Sequence, residues 1–254
     1  MFAAEIKFRR GNAKRAPMND LVYSLLGAWE KNGQILSSDT LSMDKDSLHA
    51  YVLIPKKDAL NKRFANKYVR KYMDKCLEET SYLPQITLHG PTPESARPCT
   101  CKRPPGYILY TNFLSVESPI RCADCFRPVP LYLLPYIDDE EHLGFLSWSS
   151  NYKACDTLQI GCTVGERFGE QQMIRHDSAL SKQGREICRE LEAKVKRKVY
   201  YYLFKYRGRS LTAERKRRCP ECKQPWILGE QWHNLFDFRC ERCRLLSNIA
   251  CSLT

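Results

Sequence analysis

Hydrophobic and polar positions change period several times within the first ninety residues. Residues 2–10 alternate weakly, as a strand does, and residues 21–29 carry apolar side chains at helical spacing after the capping pair Asn19 and Asp20. The other elements predicted in this part of the chain are strands at 34–41 and 48–55, a helix at 61–79 and a strand at 85–89.

The order of these elements is strand, helix, strand, strand, helix, strand. This order is typical of the split βαβ pattern of ferredoxin-like sandwiches. We therefore predict an α+β protein whose residues 1–92 form a ferredoxin-like domain. The basic run on the helix at 61–79 is interpreted as a solvated face.

Cysteines occur in two spaced sets beyond this domain. Cys219 and Cys222 form a CxxC pair, and after 17 intervening residues Cys240 and Cys243 form a second one. A CxxC turn points two thiolates at one metal ion, and a hairpin brings two such turns together. The spacing predicts a C-terminal zinc ribbon over residues 211–254. The alternative is a redox CxxC motif, which needs no second pair at this spacing.

The first cysteine set is less regular. Cys99 and Cys101 form a CxC pair, and after 20 residues Cys122 and Cys125 form a CxxC pair. We predict a second zinc-ribbon-like module over residues 93–130. Four thiolates close the coordination shell and leave no position for water or substrate, so both zinc ions are expected to be structural.

The longest helical pattern covers residues 178–210 and is strongly basic. Residues 185–218 contain 13 Lys+Arg and four Glu, so we interpret this segment as a surface that contacts phosphates, with Tyr201 available for base stacking. The alternative is a solvated helix face. The candidate contacts are Lys194, Arg197, Lys198, Tyr201, Lys205, Arg207, Arg209, Arg215, Arg217 and Arg218.

An acidic region at 131–177 separates the first cysteine set from the predicted basic helix. Residues 131–184 hold 4 basic and 8 acidic side chains. The acids Asp138, Asp139, Glu140 and Glu141 are adjacent in sequence, so a protein partner with a basic groove could face them as it would face phosphates.

Composition narrows the classes of protein that remain. The chain has 254 residues, a formal charge of +12 and 13 cysteines. It contains no apolar run of the roughly 18 residues that would cross a bilayer, and its first residues lack the apolar centre of a signal peptide. We therefore expect a cytoplasmic protein with no membrane partner, in which regularly spaced cysteines bind metal.

Motifs for catalysis are missing from the sequence. It shows neither a phosphate-cradling glycine loop nor a nucleophile signature. The sequence therefore predicts a protein without enzymatic activity and without a small-molecule substrate.

The order of these parts resembles that of a known bacterial family. The features that support this resemblance are the split βαβ start, the CxC and CxxC pairs at 99–125, the basic segment, and the two CxxC pairs at 219–243. The family is described as zinc-ribbon-containing, with nucleic-acid binding suggested, and similar proteins occur as immunity partners of nuclease effectors delivered by type VI secretion. The resemblance implies a protein that binds a nuclease toxin and blocks its access to DNA, without chemistry of its own.

Two functional hypotheses follow, and we expect the immunity protein first, with direct nucleic-acid binding as the alternative. The resemblance favours the immunity protein, whose partner is a nuclease toxin. The basic charge favours direct nucleic-acid binding through the basic segment and the terminal ribbon.

Overall fold

The computed structural model describes residues 1–11, 15–93, 95–137 and 139–253. Contacts between residues divide the chain into two units. The first unit comprises Met1–Pro98, Val116–Ser118 and Arg127–Leu143. The second comprises Cys99–Ser115, Pro119–Phe126 and the chain from Gly144 onward.

The first unit contains four strands and two long helices within its described residues. Its elements are β1 (Phe2–Arg9), α1 (Arg15–Lys31), β2 (Ser37–Met43), β3 (Ser47–Ile54), α2 (Lys67–Thr80) and β4 (Gln85–Pro91). The strands form one antiparallel sheet in the order β2-β3-β1-β4.

Alternating apolar residues build the core of the first unit. Ala4, Ile6 and Phe8 are buried on one face of β1 because side chains of a strand point to opposite faces in turn. The side chain of Asn66 caps α2 by accepting a hydrogen bond from the Val69 N–H at 2.9 Å.

The second unit is built around a six-stranded sheet. Its strands are β5 (Gly106–Leu109), β6 (Ile120–Cys122), β7 (Lys198–Leu203), β8 (Ile227–Trp232), β9 (Phe236–Cys240) and β10 (Leu245–Ser247), and they lie in the order β6-β5-β7-β10-β9-β8. β7 runs parallel to both neighbours, β5 and β10, and the other pairs are antiparallel. The helices are α3 (Leu143–Gly161), α4 (Glu166–Ile174), α5 (Ala179–Val195) and α6 (Leu211–Arg215).

The prediction of one long basic helix over residues 178–210 is wrong. Helix α5 ends at Val195, where Lys196 adopts the left-handed conformation with φ 54°, and β7 follows. The run of Val199, Tyr200, Tyr201 and Tyr202 consists of residues that favour strands, and all four side chains are buried in the central strand. A strand buried on both faces explains the apolar pattern that continued the helical period.

The structure also changes the predicted boundaries beyond residue 92. The two cysteine hairpins predicted as separate modules at 93–130 and 211–254 contribute strands to the same sheet, with β7 between them. The acidic region at 131–177 is divided, because residues 131–143 belong to the first unit and residues 144–177 to the second.

Among the described residues, none of the helices combines the length and the hydropathy that a bilayer crossing requires.

Candidate metal centres and basic surface

The four cysteines of the C-terminal set lie together. The Sγ atoms of Cys219, Cys222, Cys240 and Cys243 are all within 4.8 Å of one another, and those of Cys222 and Cys240 are 3.6 Å apart. A tetrahedral zinc ion with bonds of about 2.3 Å to sulfur places its ligands about 3.8 Å apart. The cluster therefore has the donor set and the size of a four-thiolate zinc site.

Backbone geometry holds each CxxC turn of this cluster. The Lys223 N–H donates to the Cys219 carbonyl at 3.0 Å, and the Cys243 N–H donates to the Cys240 Sγ at 3.4 Å. Lys223 and Arg244, which follow the two turns, have φ values of 61° and 54°. In each turn, this residue in the left-handed conformation directs the backbone away from the cluster after the second cysteine.

The four cysteines of the first set also lie together. The Sγ atoms of Cys99, Cys101, Cys122 and Cys125 are within 4.8 Å of one another, and the Cys125–Cys99 distance is 3.6 Å. Phe126 follows the CxxC turn with φ 56°, as Lys223 and Arg244 do in the other cluster. The CxC arm therefore leaves the four-thiolate arrangement intact.

The thiol groups of the clusters differ in acidity. Backbone hydrogen bonding from Gln224 lowers the pKa of Cys222 to about 7, whereas burial raises the pKa of Cys219 to about 11. Hydrogen bonding with Cys125 raises the pKa of Cys101 to about 11. Thiols must lose their protons to bind a metal ion, so metal affinity at both clusters rises with pH.

Both clusters lie at the same end of the six-stranded sheet. The parallel strands β5, β7 and β10 start at this end, and the antiparallel strands β6 and β9 finish there at Cys122 and Cys240. Neighbouring strands are about 4.8 Å apart, so β5 and β9, the nearest strands of the two cysteine hairpins, are separated by on the order of 14 Å, with β7 and β10 between them. We call this end the metal edge and define it as residues 99–106, 122–125, 192–198 and 240–245.

Basic side chains flank the clusters along the metal edge. Lys198 pairs with Glu241 at 2.6 Å, and Arg244 pairs with Glu192 at 3.0 Å. Five other basic side chains are exposed, and within the described part of the chain no carboxylate oxygen lies within 4.0 Å of them. These five are Lys102, Arg103, Lys194, Lys196 and Arg242.

A cleft of about 520 Å³ lies between α5 and the C-terminal cluster. Cys222 and Cys243, two half-buried ligands of the cluster, line it together with four arginines. Glu192 and Glu221 also line the cleft and pair with Arg244 and Arg185, and Arg189 pairs with Glu186. A four-thiolate zinc site carries a net charge of −2, and Arg242 is the one arginine of the four that has no carboxylate partner among the described residues and can offset it. The arginines are Arg185, Arg189, Arg242 and Arg244.

The predicted stacking role of Tyr201 is wrong. Its side chain is 1% exposed in the core, with its ring centroid 5.9 Å from that of Trp148. Helix α5 packs on this ring so closely that a Cβ on Gly184 would lie 2.2 Å from it. A base cannot reach a side chain in this position.

The other predicted contacts have different surroundings. Lys198 and Lys205 pair with Glu241 and Glu214, and Arg207 pairs with Glu166. Arg217 is half-buried against Phe238 and lies 3.4 Å from a Glu214 carboxylate oxygen, and Arg197 is half-buried at the metal edge. The remaining predicted contacts are exposed: Lys194, Arg209, Arg215 and Arg218.

The acids predicted to face a toxin are engaged within the first unit. Asp139 pairs with Lys67 at 2.6 Å, the Glu140 carboxylate accepts the Lys67 N–H at 3.2 Å, and Glu141 lies 3.8 Å from the Lys31 amine. Asp138 lies outside the described residues.

Sequence reasoning missed four of the exposed cations of the metal edge. Lys102 and Arg103 follow the CxC pair, Lys196 stands in the turn after α5, and Arg242 lies inside the last CxxC turn. For Lys102, Arg103 and Arg242 the available signal was a basic residue inside or next to a ligand turn, because such a residue is carried to the same place as the cysteines; Lys196 had no such signal.

Three family models match the chain, and each is described as a domain of unknown function. They are DUF8589 over residues 1–90, DUF2310 over residues 101–204 and DUF8594 over residues 208–253. Two relatives from Haemophilus influenzae carry the name "Uncharacterized protein". One is 30% identical over 237 residues, covering 91% of this chain and 90% of the relative, and the other is 37% identical over 149 residues, covering 58% and 72%. No solved structure matches the chain.

Proposed function

We infer that this chain, which belongs to the same family as the two Haemophilus influenzae proteins, is a non-enzymatic zinc protein that binds nucleic acid through its metal edge. One observation carries the proposal: five exposed cations without a carboxylate partner among the described residues flank both cysteine clusters at one end of one sheet. Such a surface suits the phosphates of a nucleic-acid backbone.

Zinc has a structural role in this proposal. Four thiolates at each cluster leave no open coordination position, so no reaction is assigned to the metal. Thiolates must stay reduced to bind it, and we therefore propose a cytoplasmic location. We also assign the first unit to the ferredoxin-like sandwiches, and the strand order β4-β1-β3-β2 supports that assignment.

Basic side chains at the metal edge can bind phosphates only where they are not already paired with carboxylates or with the thiolates of the clusters. Two loaded clusters contribute a net charge of −4, which part of the surrounding basic charge offsets. Lys102, Lys194 and Lys196 are exposed, and their amines can reach phosphates without breaking an ion pair. We therefore assign the phosphate contacts to these lysines first.

Salt-dependent binding tests the proposal. Lys102, Lys194 and Lys196 are changed together to Ala, and binding to labelled single-stranded and duplex DNA and to RNA is measured by fluorescence anisotropy across salt concentrations. We expect affinity to fall at least tenfold and the slope of log K against log salt to decrease by about 2 to 3, because each lost phosphate contact removes about 0.7 to 0.9.

The control makes the same charge change in the first unit. Lys62, Arg70 and Lys71 are exposed on or beside α2, and their replacement by Ala should leave the slope nearly unchanged. The proposal is rejected if the chain binds no nucleic acid at low salt or if both triple variants lose affinity equally.

Immunity to a nuclease toxin is the second candidate. Val164 is 74% exposed and Phe168 is 59% exposed, and exposed apolar side chains of this size favour a protein partner. The test is to express a nuclease effector encoded beside the gene, with and without this chain. Rescue that is lost in a Val164→Asp, Phe168→Asp variant supports immunity, and failure of the wild type to rescue rejects it.

A further inference from the structure

A groove of about 340 Å³ opens at the end of the second sheet opposite the metal edge. It lies where the parallel strands β5 and β7 finish, at Leu109 and Leu203. Pockets for small molecules have volumes of about 300 to 1,000 Å³, and the carboxyl ends of parallel strands are a common place for them. Six aromatic side chains line the groove: Tyr110, Phe113, Tyr152, Tyr202, Phe204 and Tyr206.

Asp156 is the one charged side chain among the described residues that line this groove. It is 9% exposed on α3, and its Oδ2 accepts a hydrogen bond from the Phe113 N–H at 2.8 Å. No nitrogen of Lys, Arg or His in the described chain lies within 4.0 Å of its carboxylate. Burial raises the pKa of Asp156, because a carboxylate loses solvation in an apolar groove.

A second polar group of the groove has a free hydrogen-bonding position. Thr111, immediately after Tyr110, is 1% exposed, and within the described residues its Oγ1 has no hydrogen-bond partner. An unsatisfied hydroxyl and an unpaired carboxylate in the same groove both cost free energy. A ligand that carries positive charge and an N–H donor relieves the cost at the carboxylate.

We propose that this groove binds an organic ammonium ion, with its nitrogen at Asp156 and its apolar body against the aromatic side chains. The carboxylate supplies an opposite charge and an acceptor, and aromatic ring faces attract cations in addition. An anion or a phosphate ester is disfavoured because the described residues that line the groove present a carboxylate and no cation. The exposed rim side chains Leu114 and Ile160 would be covered by the same ligand.

The site is independent of the proposed nucleic-acid function. It uses the opposite ends of β5 and β7 from those at the metal edge, and it shares none of the cations assigned to phosphate contact. Loss of nucleic-acid binding and loss of ammonium binding can therefore be measured separately in the same protein.

Three probes of similar size separate charge from shape in the test. They are phenethylamine, a primary ammonium ion at neutral pH; benzyltrimethylammonium, a cation without N–H donors; and 2-phenylethanol, which is neutral. Each is titrated into the zinc-loaded full chain and followed by two-dimensional amide NMR. We expect the resonance of the Phe113 N–H to shift with both cations, and phenethylamine to bind at least about tenfold more tightly than the alcohol.

Asp156→Asn removes the charge and keeps an oxygen that can accept from the Phe113 N–H. It should weaken phenethylamine binding about tenfold or more, and Asp177→Asn, at an exposed carboxylate paired with Arg175, should not. A second variant, Ile160→Trp, narrows the groove at a side chain that is 52% exposed and should weaken both cations. The proposal is overturned if the alcohol binds as tightly as the amine, if no probe binds, or if the Asp156→Asn and Ile160→Trp variants both bind normally.

Discussion

Gly106, the first residue of β5, pairs in parallel register with Lys198, the first residue of β7. The two backbones are so close that a Cβ on Gly106 would lie 2.6 Å from the Lys198 carbonyl oxygen. This contact joins the hairpin of the first cysteine cluster to the strand that pairs with β10 of the terminal ribbon. The two clusters consequently belong to one sheet.

Replacing Gly106 by Ala should destabilise the second unit. The added Cβ would meet a backbone atom, which can move only if the strands separate, and overpacking of this kind costs about 1 to 3 kcal/mol. Urea unfolding measures the change. Gly229→Ala is the matched control on β8 of the same sheet, where a Cβ meets no atom within 4 Å, and equal losses in the two variants would contradict the explanation.

Arg217 should contribute to stability and not to nucleic-acid binding. Its Nη2 donates to the Asn248 carbonyl at 2.7 Å, and its guanidinium lies 4.2 Å from the centre of the Phe238 ring. Lys cannot reproduce this planar contact, so Arg217→Lys is expected to cost about 2 kcal/mol in unfolding experiments. The exposed Arg218 should tolerate the same change within about 0.5 kcal/mol.

Nucleic-acid affinity separates the two possible roles of Arg217. The Arg217→Lys protein, studied below its unfolding range, should keep the wild-type salt slope. A slope that decreases by about 1 would place Arg217 in the interface, as the sequence predicted.

Acid should destabilise the first unit through His142. This side chain is fully buried, and burial lowers its pKa to about 4. The unfolded chain takes up the proton near pH 6.5, so the stability from neutral His142 is present above that pH and is lost as pH falls towards 4.

Unfolding at pH 7 and pH 5 tests this effect. The wild type should lose about 2 kcal/mol more than His142→Phe between these two values, since the variant has no imidazole to protonate. Protonation of the cysteine ligands affects both proteins equally, so its contribution cancels when the two are compared at the same pH. Equal losses of stability in the two proteins would show that His142 does not cause the pH dependence of stability.

Local spacing was enough to predict the metal clusters, because each pair of ligands lies within one turn. The prediction of a helix over 178–210 was wrong for a different reason. Cys188, Leu191, Val195, Val199 and Tyr202 continue a helical period, yet the last two belong to a strand buried on both faces. Its neighbours β5 and β10 lie far away in sequence, and no glycine or proline marks the change at Lys196.

Charge density was a poor guide to the basic surface. The predicted contacts were chosen because basic residues are frequent between 185 and 218, but Arg217 packs on Phe238 and Lys205 pairs with Glu214. Phe238 lies outside this run, and Glu214, although inside it, meets Lys205 only through the fold, so exposure could not be predicted from the density of charge. Lys102 and Arg242 were missed because they belong to the ligand turns and not to the basic run.

Metal content and coordination of the purified chain test the central claim, that both clusters are four-thiolate zinc sites of one sheet. Elemental analysis with X-ray absorption should give two zinc ions per chain, each with four sulfur ligands at about 2.3 Å. Cys219→Ser with Cys222→Ser, and separately Cys122→Ser with Cys125→Ser, should each remove one zinc and destabilise the second unit, whereas Cys162→Ser should retain both. One zinc or none in the wild type, or a shell with nitrogen or oxygen ligands, would contradict the claim.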